Sequence, residues 1–206
     1  IGIIIMAALA ITVPRYILPL AGDQVANWIP QSWLMMAGDE TLAILDESFF
    51  SPSELALQDQ EKLTHEFNRM ASLVLKDQRA KLVFRQSEEI GPNAFALPGG
   101  VVVLTDELVE IAEDQAGVIG VLAHELGHVH LKHPARRFVR SLMALALVSL
   151  IFDDAATFAE ELAAVSGSLI SLAYTREFEE EADRAGKEIL IRAGFSPIPL
   201  ANLLQK

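Results

Sequence analysis

Residues 114–134 read DQAGVIGVLAHELGHVHLKHP, a run in which apolar residues surround a few polar ones. Asp114 suits the N-cap of a helix and Pro134 cannot continue one, so the pattern predicts a single helix running to His133. Apolar side chains cover most of its circumference, which is typical of a buried helix. The interior glycines each cost about 1 kcal/mol relative to alanine, so they indicate close packing against neighbouring elements.

The polar residues of this helix form the pattern H-E-L-G-H at positions 124–128. At 100° per residue, His124 and His128 project from one face of the helix, one turn apart. Two imidazoles at this spacing can bind one tetrahedral zinc ion, and Glu125 lies beside them within reach of a water on the metal. A polar trio inside an apolar helix is costly unless its groups are satisfied, so the pattern predicts a metal site.

The third ligand is not encoded in the same helix. A metzincin would need Gly at 131 and His at 134, where this chain has Leu131 and Pro134. On a continuous helix His130 and His133 lie about 240° and 180° from His124, so neither is expected to join that metal. The ligand must come from elsewhere in the chain.

A second segment, YTREFEEEAD at 174–183, offers carboxylates. A helix is predicted here, continuing to about Arg192 and closed by Gly194. Glu179 and Asp183 lie one turn apart on its face, where one can bind a metal and the other can orient a ligand histidine. Three consecutive glutamates are also typical of a solvated helix surface, and spacing alone leaves both interpretations open.

The region before the histidine helix is predicted to contain one long helix and a small sheet. Ser51-Pro52-Ser53-Glu54 has the form of a capping box, which predicts a helix from Ser51 to about Lys76. Short strands are predicted at 81–85, 93–97 and 101–104. Thr105 is expected to cap a short helix that follows the last strand.

Composition narrows the class of protein. The chain has 206 residues, a formal net charge of −12, 51% hydrophobic residues and no cysteine, with a mean hydropathy of +0.33. These values are typical of a folded domain and exclude disulfide scaffolds, cysteine-ligated metals and thiol nucleophiles. Nucleic acid is not an expected partner, because binding it requires a basic surface.

The N-terminal stretch IGIIIMAALAITV, residues 1–13, carries no charge. It is shorter than the roughly twenty residues that cross a bilayer, and because the chain opens on Ile we expect a truncated membrane-associated segment. Trp28 and Trp33 follow at a distance that suits a membrane interface. A buried core helix is the alternative interpretation of the apolar stretch.

Taken in order, NAFALPGG, HELGH and TREFEEEAD resemble motifs of the zinc metallopeptidases that include HtpX, BepA and the CAAX prenyl proteases. Thr175 stands where that family usually has Ser. The resemblance implies an α+β, zincin-like fold, mostly helical, with a small sheet above the active-site helix. Alignment of the Ala-Asp pair places the family's ligand glutamate on Glu179, and Asp183 on the aspartate that holds the first histidine.

The resemblance implies a membrane-associated zinc endopeptidase, and we expect a bacterial enzyme of protein quality control with a periplasmic catalytic domain. One Zn²⁺ per chain would be held by His124, His128 and Glu179, with Glu125 as the base. Protein or peptide substrates would lie along the strand before the zinc helix, at Asn93, Phe95, Pro98, Gly99 and Gly100. The chain would divide into an apolar membrane-associated segment (1–20), a connecting region (21–50) and a zinc metallopeptidase domain (51–206).

Four points stay open at this stage. Family members place a His or Arg beyond the ligand glutamate to stabilise the oxyanion; here only Arg184 and Arg192 follow, and the role is unassigned. The apolar segment 136–172 either covers the cleft, keeping the enzyme latent, or lies on lipid, or forms a pair of buried core helices. A membrane-tethered chaperone or binding protein, in which zinc only joins helices, is the alternative function. Pro-Gly-Gly by itself is more typical of a plain β-turn, and only the family resemblance favours substrate binding there.

Overall fold

The computed structural model describes residues 18–75, 79–112, 114–152 and 174–197. Most of these residues are helical. The helices are α1 (Leu18–Trp28), α2 (Gln31–Ser48), α3 (Leu57–Val74), α4 (Asp106–Ile111), α5 (Gln115–His130), α6 (His133–Phe152) and α7 (Arg176–Arg192). The strands are β1 (Ser51–Pro52), β2 (Lys81–Gln86), β3 (Ala94–Ala96) and β4 (Val101–Thr105).

The four strands form one mixed sheet in the order β1-β2-β4-β3. β2 and β4 are parallel, with Val83 opposite Val103. β3 runs antiparallel to β4 and lies at the edge of the described sheet, with Phe95 also opposite Val103. The predicted α+β, zincin-like class, mostly helical with a small sheet, is confirmed.

The histidine helix α5 lies at the centre of the larger hydrophobic core. It packs against α3, α7 and β3, and its side chains are buried from Gly117 to Val129. The apolar stripe predicted for α3 is also confirmed, since Leu63, Phe67 and Met70 are buried in this core. A helix enclosed in this way holds its polar side chains in fixed positions.

A second, smaller core lies between α2 and the sheet. Leu42 and Leu45 of α2 pack with Val83, Val101 and Val103. The region 21–50, expected as a connection, therefore contains two helices, one of which contributes to a core; its separation as a domain stays a prediction.

Residues 1–13 lie outside the described residues. Among the helices that the structure does describe, none combines the length and apolarity needed to cross a membrane.

The helix predicted from Ser51 begins instead at Leu57, so the capping-box interpretation is wrong. Ser51 and Pro52 pair with the end of β2. The Ser53 hydroxyl and the backbone N–H of Glu54 both donate to the buried carboxylate of Asp106, each at 2.7 Å. The buried carboxylate of Asp106, which is distant in the sequence, therefore binds groups that a local helix cap would have involved.

The helix predicted from Asp114 to His133 is correct at its start and wrong at its end. The Asp114 carboxylate accepts from the backbone N–H of Gly117 at 2.9 Å, as an N-cap does. Helix α5 stops at His130, and Lys132 adopts a left-handed conformation with φ +58°. His133 and Pro134 open the next helix, α6, where a proline costs no hydrogen bond.

The predicted strands at 81–85, 93–97 and 101–104 correspond to β2, β3 and β4. The short helix after Thr105 is present as α4, but the Thr105 hydroxyl donates to the carbonyls of Gly91 and Asn93 instead of capping it. The predicted end of α7 is confirmed: Gly194 has φ +80°, and the N–H of Phe195 donates to the carbonyl of Leu190.

The apolar segment 136–172 is described only as far as residue 152, within α6. That helix packs against α1, joined by ion pairs from Arg136 and Arg140 to Asp23. The rest of the segment, residues 153–172, lies outside the described residues, so whether the segment covers the cleft, lies on lipid or forms a pair of core helices stays a prediction.

Close approach between α5 and α7 brings the two polar segments together. A Cβ on Gly186 of α7 would lie 3.0 Å from the Cα of His124, and one on Gly127 of α5 would lie 2.8 Å from the carbonyl oxygen of Ala182. Both distances are shorter than ordinary packing allows. The glycines therefore set the spacing at which α7 presents its carboxylates to the histidines of α5.

Replacing Gly186 by valine is expected to lower the free energy of unfolding by about 1–3 kcal/mol, because the added atoms must separate the helices. Lys187→Val is the matched control, since Lys187 is exposed on the same helix and the substituted residue is the same. Chemical denaturation measures both variants. Equal stability of the two would show that α5 and α7 have room for a side chain at 186.

Candidate metal centre

Three side chains from two helices converge on one point. His124 and His128 of α5 and Glu179 of α7 each offer a ligand atom, and these atoms all lie within 4.8 Å of one another. The two Nε2 atoms are 3.0 Å apart. The Glu179 carboxylate lies 3.3 Å from Nε2 of His124 and 3.9 Å from Nε2 of His128. The structure thus brings together the three residues that the family resemblance implies as metal ligands.

The donor set fits a zinc ion. Tetrahedral ligands at about 2.0–2.1 Å from zinc stand about 3.3 Å from one another, and the separations of 3.0, 3.3 and 3.9 Å bracket that value. Both histidines are buried while the Glu179 side chain is 42% exposed. Three protein ligands with one side open are typical of a catalytic zinc site, whereas structural sites are closed by four.

The outer nitrogen of each histidine is also engaged. Nδ1 of His124 donates to the Asp183 carboxylate at 2.9 Å, which leaves the lone pair of Nε2 available to a metal. Nδ1 of His128 lies 3.0 Å from Nδ1 of His133, and Nε2 of His133 lies 3.0 Å from the Glu181 carboxylate. Partners of this kind orient metal-bound imidazoles.

His133 is the residue that sequence reasoning misplaced. Its position 180° from His124 followed from one continuous helix, but the chain turns at Lys132 and His133 faces His128 from the start of α6. It is still not a member of the group of possible ligands. The signal was present in the sequence, because a proline at 134 is as typical of the first turn of a new helix as of the end of an old one.

Glu125 lies beside the three converging residues and is not one of them. Its side chain is buried, and one carboxylate oxygen has no hydrogen-bond partner among the described residues. Burial raises the pKa of Glu125 to about 8, against the opposing effects of His124 and of a hydrogen bond from the Ala96 backbone. A carboxylate that gains a proton this readily is suited to accept one and pass it on.

The pKa values of the histidines move in opposite directions. Burial lowers the pKa of His128 far below its usual range, and the neighbouring His124 and His133 add to that effect. Burial also disfavours the charged form of His124, but the carboxylates of Glu179, Glu125 and Asp183 outweigh it and raise the pKa. A neutral His128 is the form that can bind a metal.

Tyr174 forms a wall of the site and was not selected from the sequence. Its ring stacks on that of His128, with centroids 4.0 Å apart and planes 18° apart. Its hydroxyl donates to the carbonyl of Ala96 on β3 at 3.4 Å. Burial raises the pKa of Tyr174, so this hydroxyl keeps its proton and remains a donor.

The residues expected to bind substrate lie on β3 and the turn after it. Phe95 stacks on Phe50, 6.3 Å between centroids. Residues 97–100 form a turn closed by the N–H of Gly100, which donates to the carbonyl of Leu97 at 3.3 Å, with Gly99 at φ +76°, so the plain-turn interpretation describes their conformation. A Cβ on Gly99 would meet the backbone of α2, and one on Gly100 would meet the carbonyl of Arg79. The backbone that approaches these glycines is therefore the chain's own.

The fold and the converging side chains define an α+β metallopeptidase. The model of peptidase family M48 matches residues 57–205 of the chain, which includes α3, the sheet from β2 onward, α5 and α7. The chain belongs to peptidase family M48.

Proteins similar to this chain include bacterial proteases and a mitochondrial metalloendopeptidase. The chain is 36% identical over 124 residues to a beta-barrel assembly-enhancing protease of Yersinia pestis, a match that covers 55% of this chain and 26% of the relative. It is 34% identical over 125 residues to the Escherichia coli K12 protein of the same name, with the same coverage. The mitochondrial metalloendopeptidase OMA1 of Saccharomyces cerevisiae is 32% identical over 106 residues, covering 52% of this chain and 30% of the relative. The matches thus span less than a third of these relatives.

Proposed function

We propose that this protein is a zinc-dependent endopeptidase of the gluzincin type. The observation that carries the proposal is the position of Glu125. This buried carboxylate stands next to His124, His128 and Glu179, yet one of its oxygens has no protein partner among the described residues. A site that only joins helices has no use for an unligated carboxylate there, so this feature favours the peptidase over the zinc-stapled binding protein.

The proposed chemistry assigns each side chain one task. His124, His128 and Glu179 would hold one zinc ion, which when bound supplies a Lewis acid that polarises water and the scissile carbonyl. Glu125 takes a proton from the attacking water and delivers it to the leaving amine. Asp183 holds the His124 ring in place through Nδ1. The test is digestion of unfolded casein by the zinc-loaded protein beside its Glu125→Gln variant.

The proposed substrate site is the open edge of β3. The N–H of Leu97 donates to the carbonyl of Val101 at 2.7 Å, and the N–H of Thr105 donates to the carbonyl of Asn93 at 3.0 Å. Antiparallel pairing alternates, so the polar groups of Ala94 and Ala96 point to the other side, where no described strand pairs with them. Those of Ala96 already bond to the Glu125 carboxylate and the Tyr174 hydroxyl, so the substrate backbone would pair with Ala94. An extended peptide added there would be held through its backbone, which suits broad specificity.

Replacing Ala94 by proline is expected to raise KM for peptides severalfold while kcat and zinc content stay near those of the wild type. The substitution removes an N–H from the open side of the edge strand and spares the bonds to β4. Steady-state kinetics with a quenched fluorescent peptide measure the effect. Ala94→Val, which keeps the N–H, is the control, and an unchanged KM in the proline variant would contradict substrate binding at this edge.

Membrane association through the N-terminal segment, a bacterial source and a periplasmic catalytic domain also remain proposals. Trp28 and Trp33, 83% and 69% exposed, support the first of these. The source is supported by the names and organisms of the bacterial relatives. A role in protein quality control is proposed by analogy with what those names describe.

A further inference from the structure

His133 is a buried histidine outside the group of possible metal ligands. Its side chain is 0% exposed. Its ring stacks on that of Phe178, with centroids 4.1 Å apart and planes 1° apart. Both of its nitrogens are engaged, Nδ1 with Nδ1 of His128 and Nε2 with the carboxylate of Glu181, each at 3.0 Å. The ring is therefore fixed in its plane and bonded at both ends.

The positions of the protons follow from the chemistry of these groups. A carboxylate only accepts, so the bond to Glu181 places the proton of a neutral His133 on Nε2. Nδ1 of His133 is then an acceptor, and His128 must donate to it from its own Nδ1. The lone pair of His128 is thereby placed on Nε2, the atom that faces Nε2 of His124.

The same reasoning places the proton of His124 on Nδ1, because that nitrogen donates directly to the Asp183 carboxylate. Both Nε2 lone pairs then meet at a separation of 3.0 Å, an arrangement that a cation between them would stabilise. The two histidines thus reach one orientation through different partners: a carboxylate for His124, and an imidazole followed by a carboxylate for His128.

We propose that His133 is a positioning residue, which fixes the ring and the tautomer of His128 for metal binding, and that Glu181 sets the tautomer of His133. This inference rests on the proposed function in that it takes His128 as a zinc ligand. The guanidinium of Arg136 lies 4.0 Å from the Glu181 carboxylate and also pairs with Asp23.

The first test is the zinc dissociation constant, measured by competition with a chromophoric chelator. His133→Phe keeps a ring to stack on Phe178 and loses both hydrogen bonds; we expect affinity to fall about 10–100-fold. His133→Gln offers an oxygen to His128 and an N–H to Glu181, and we expect it to restore affinity to within about threefold of the wild type. His130→Phe is the control, because His130 is an exposed histidine at the end of α5.

A second pair of variants changes partly exposed side chains instead of a buried one. Glu181→Leu removes the acceptor for His133 from a side chain that is 33% exposed, and it is expected to weaken zinc binding about tenfold. Glu180→Leu is its control, since Glu180 pairs with Arg176 at the surface. Thermal midpoints of the metal-free proteins show whether each variant is folded, so that a loss of affinity is not a loss of structure.

Nitrogen-15 NMR of the zinc-loaded wild type supplies a readout that a purely structural role does not require. We expect His133 to carry its proton on Nε2 and His128 to carry its proton on Nδ1. A proton on Nδ1 of His133 would overturn the inference, as would folded His133→Phe and Glu181→Leu proteins with the affinity of their controls. Failure of the wild type to bind zinc would instead refute the proposed function.

Discussion

Replacing Glu125 by glutamine is expected to abolish proteolysis and to leave about one zinc per chain. Glutamine has the size and shape of glutamate but cannot take a proton from water. Loss of a general base typically costs about 10²–10⁴-fold in rate. Zinc is retained because Glu125 is outside the group formed by His124, His128 and Glu179. Casein digestion and metal analysis on the same preparations measure the two effects.

Glu180→Gln is the matched control, since it makes the same chemical change at a carboxylate that is 59% exposed and paired with Arg176. It should retain both activity and metal. Loss of zinc together with activity in Glu125→Gln would show that Glu125 is a structural ligand, and the proposed mechanism would then be wrong. Retained activity would assign the base to another group.

The parts of the site that the sequence predicted are those that depend on local geometry. His124 and His128 lie four residues apart on one helix, so their common face follows from the helical repeat alone. The N-cap at Asp114 and the glycine end of α7 are likewise encoded within a few residues. The fold class followed from the family resemblance, since three ordered motifs place the helices and the sheet together.

The parts that were missed depend on contacts between distant residues. The capping-box motif at Ser51 competes with the Asp106 carboxylate, which binds Ser53 and Glu54 from more than fifty positions along the chain. His133 was assigned to the wrong helix because one residue, Lys132, takes a left-handed conformation that its identity does not favour. At Ser51 a tertiary contact overrode a local signal, whereas at Lys132 the local signal of Pro134 fitted either the end of one helix or the start of the next.

The glycines after β3 also have neighbours that are distant in the sequence and that the sequence alone does not reveal. Gly99 and Gly100 were expected to admit a substrate backbone, and their positive φ values of +76° and +94° confirm that glycine is required there. The neighbours that require it are α2 and Arg79, which sequence alone does not place. A proline needs a φ near −65°, so Gly100→Pro would disrupt the turn itself and would not report on substrate binding alone. Ala94 is therefore the better position at which to test substrate binding.

Replacing Glu179 by alanine is expected to weaken zinc binding more than any other change on α7. It removes one of the three donors that converge among the described residues, whereas loss of a supporting group typically costs about 10–100-fold. Asp183→Asn should therefore have an intermediate effect, because Asp183 holds His124 without contacting the metal position itself. Competition with a chelator measures the affinity of each variant for zinc.

Glu177→Ala is the control for this series, since Glu177 is exposed in the first turn of the same helix and belongs to the same run of acidic residues. Its affinity should equal that of the wild type. Glu181, one turn from Glu177, is unsuitable as a control because its carboxylate bonds to His133. If Glu179→Ala and Glu177→Ala bound zinc equally well, the acidic run of α7 would be an ordinary solvated surface. The third ligand would then have to lie elsewhere in the chain.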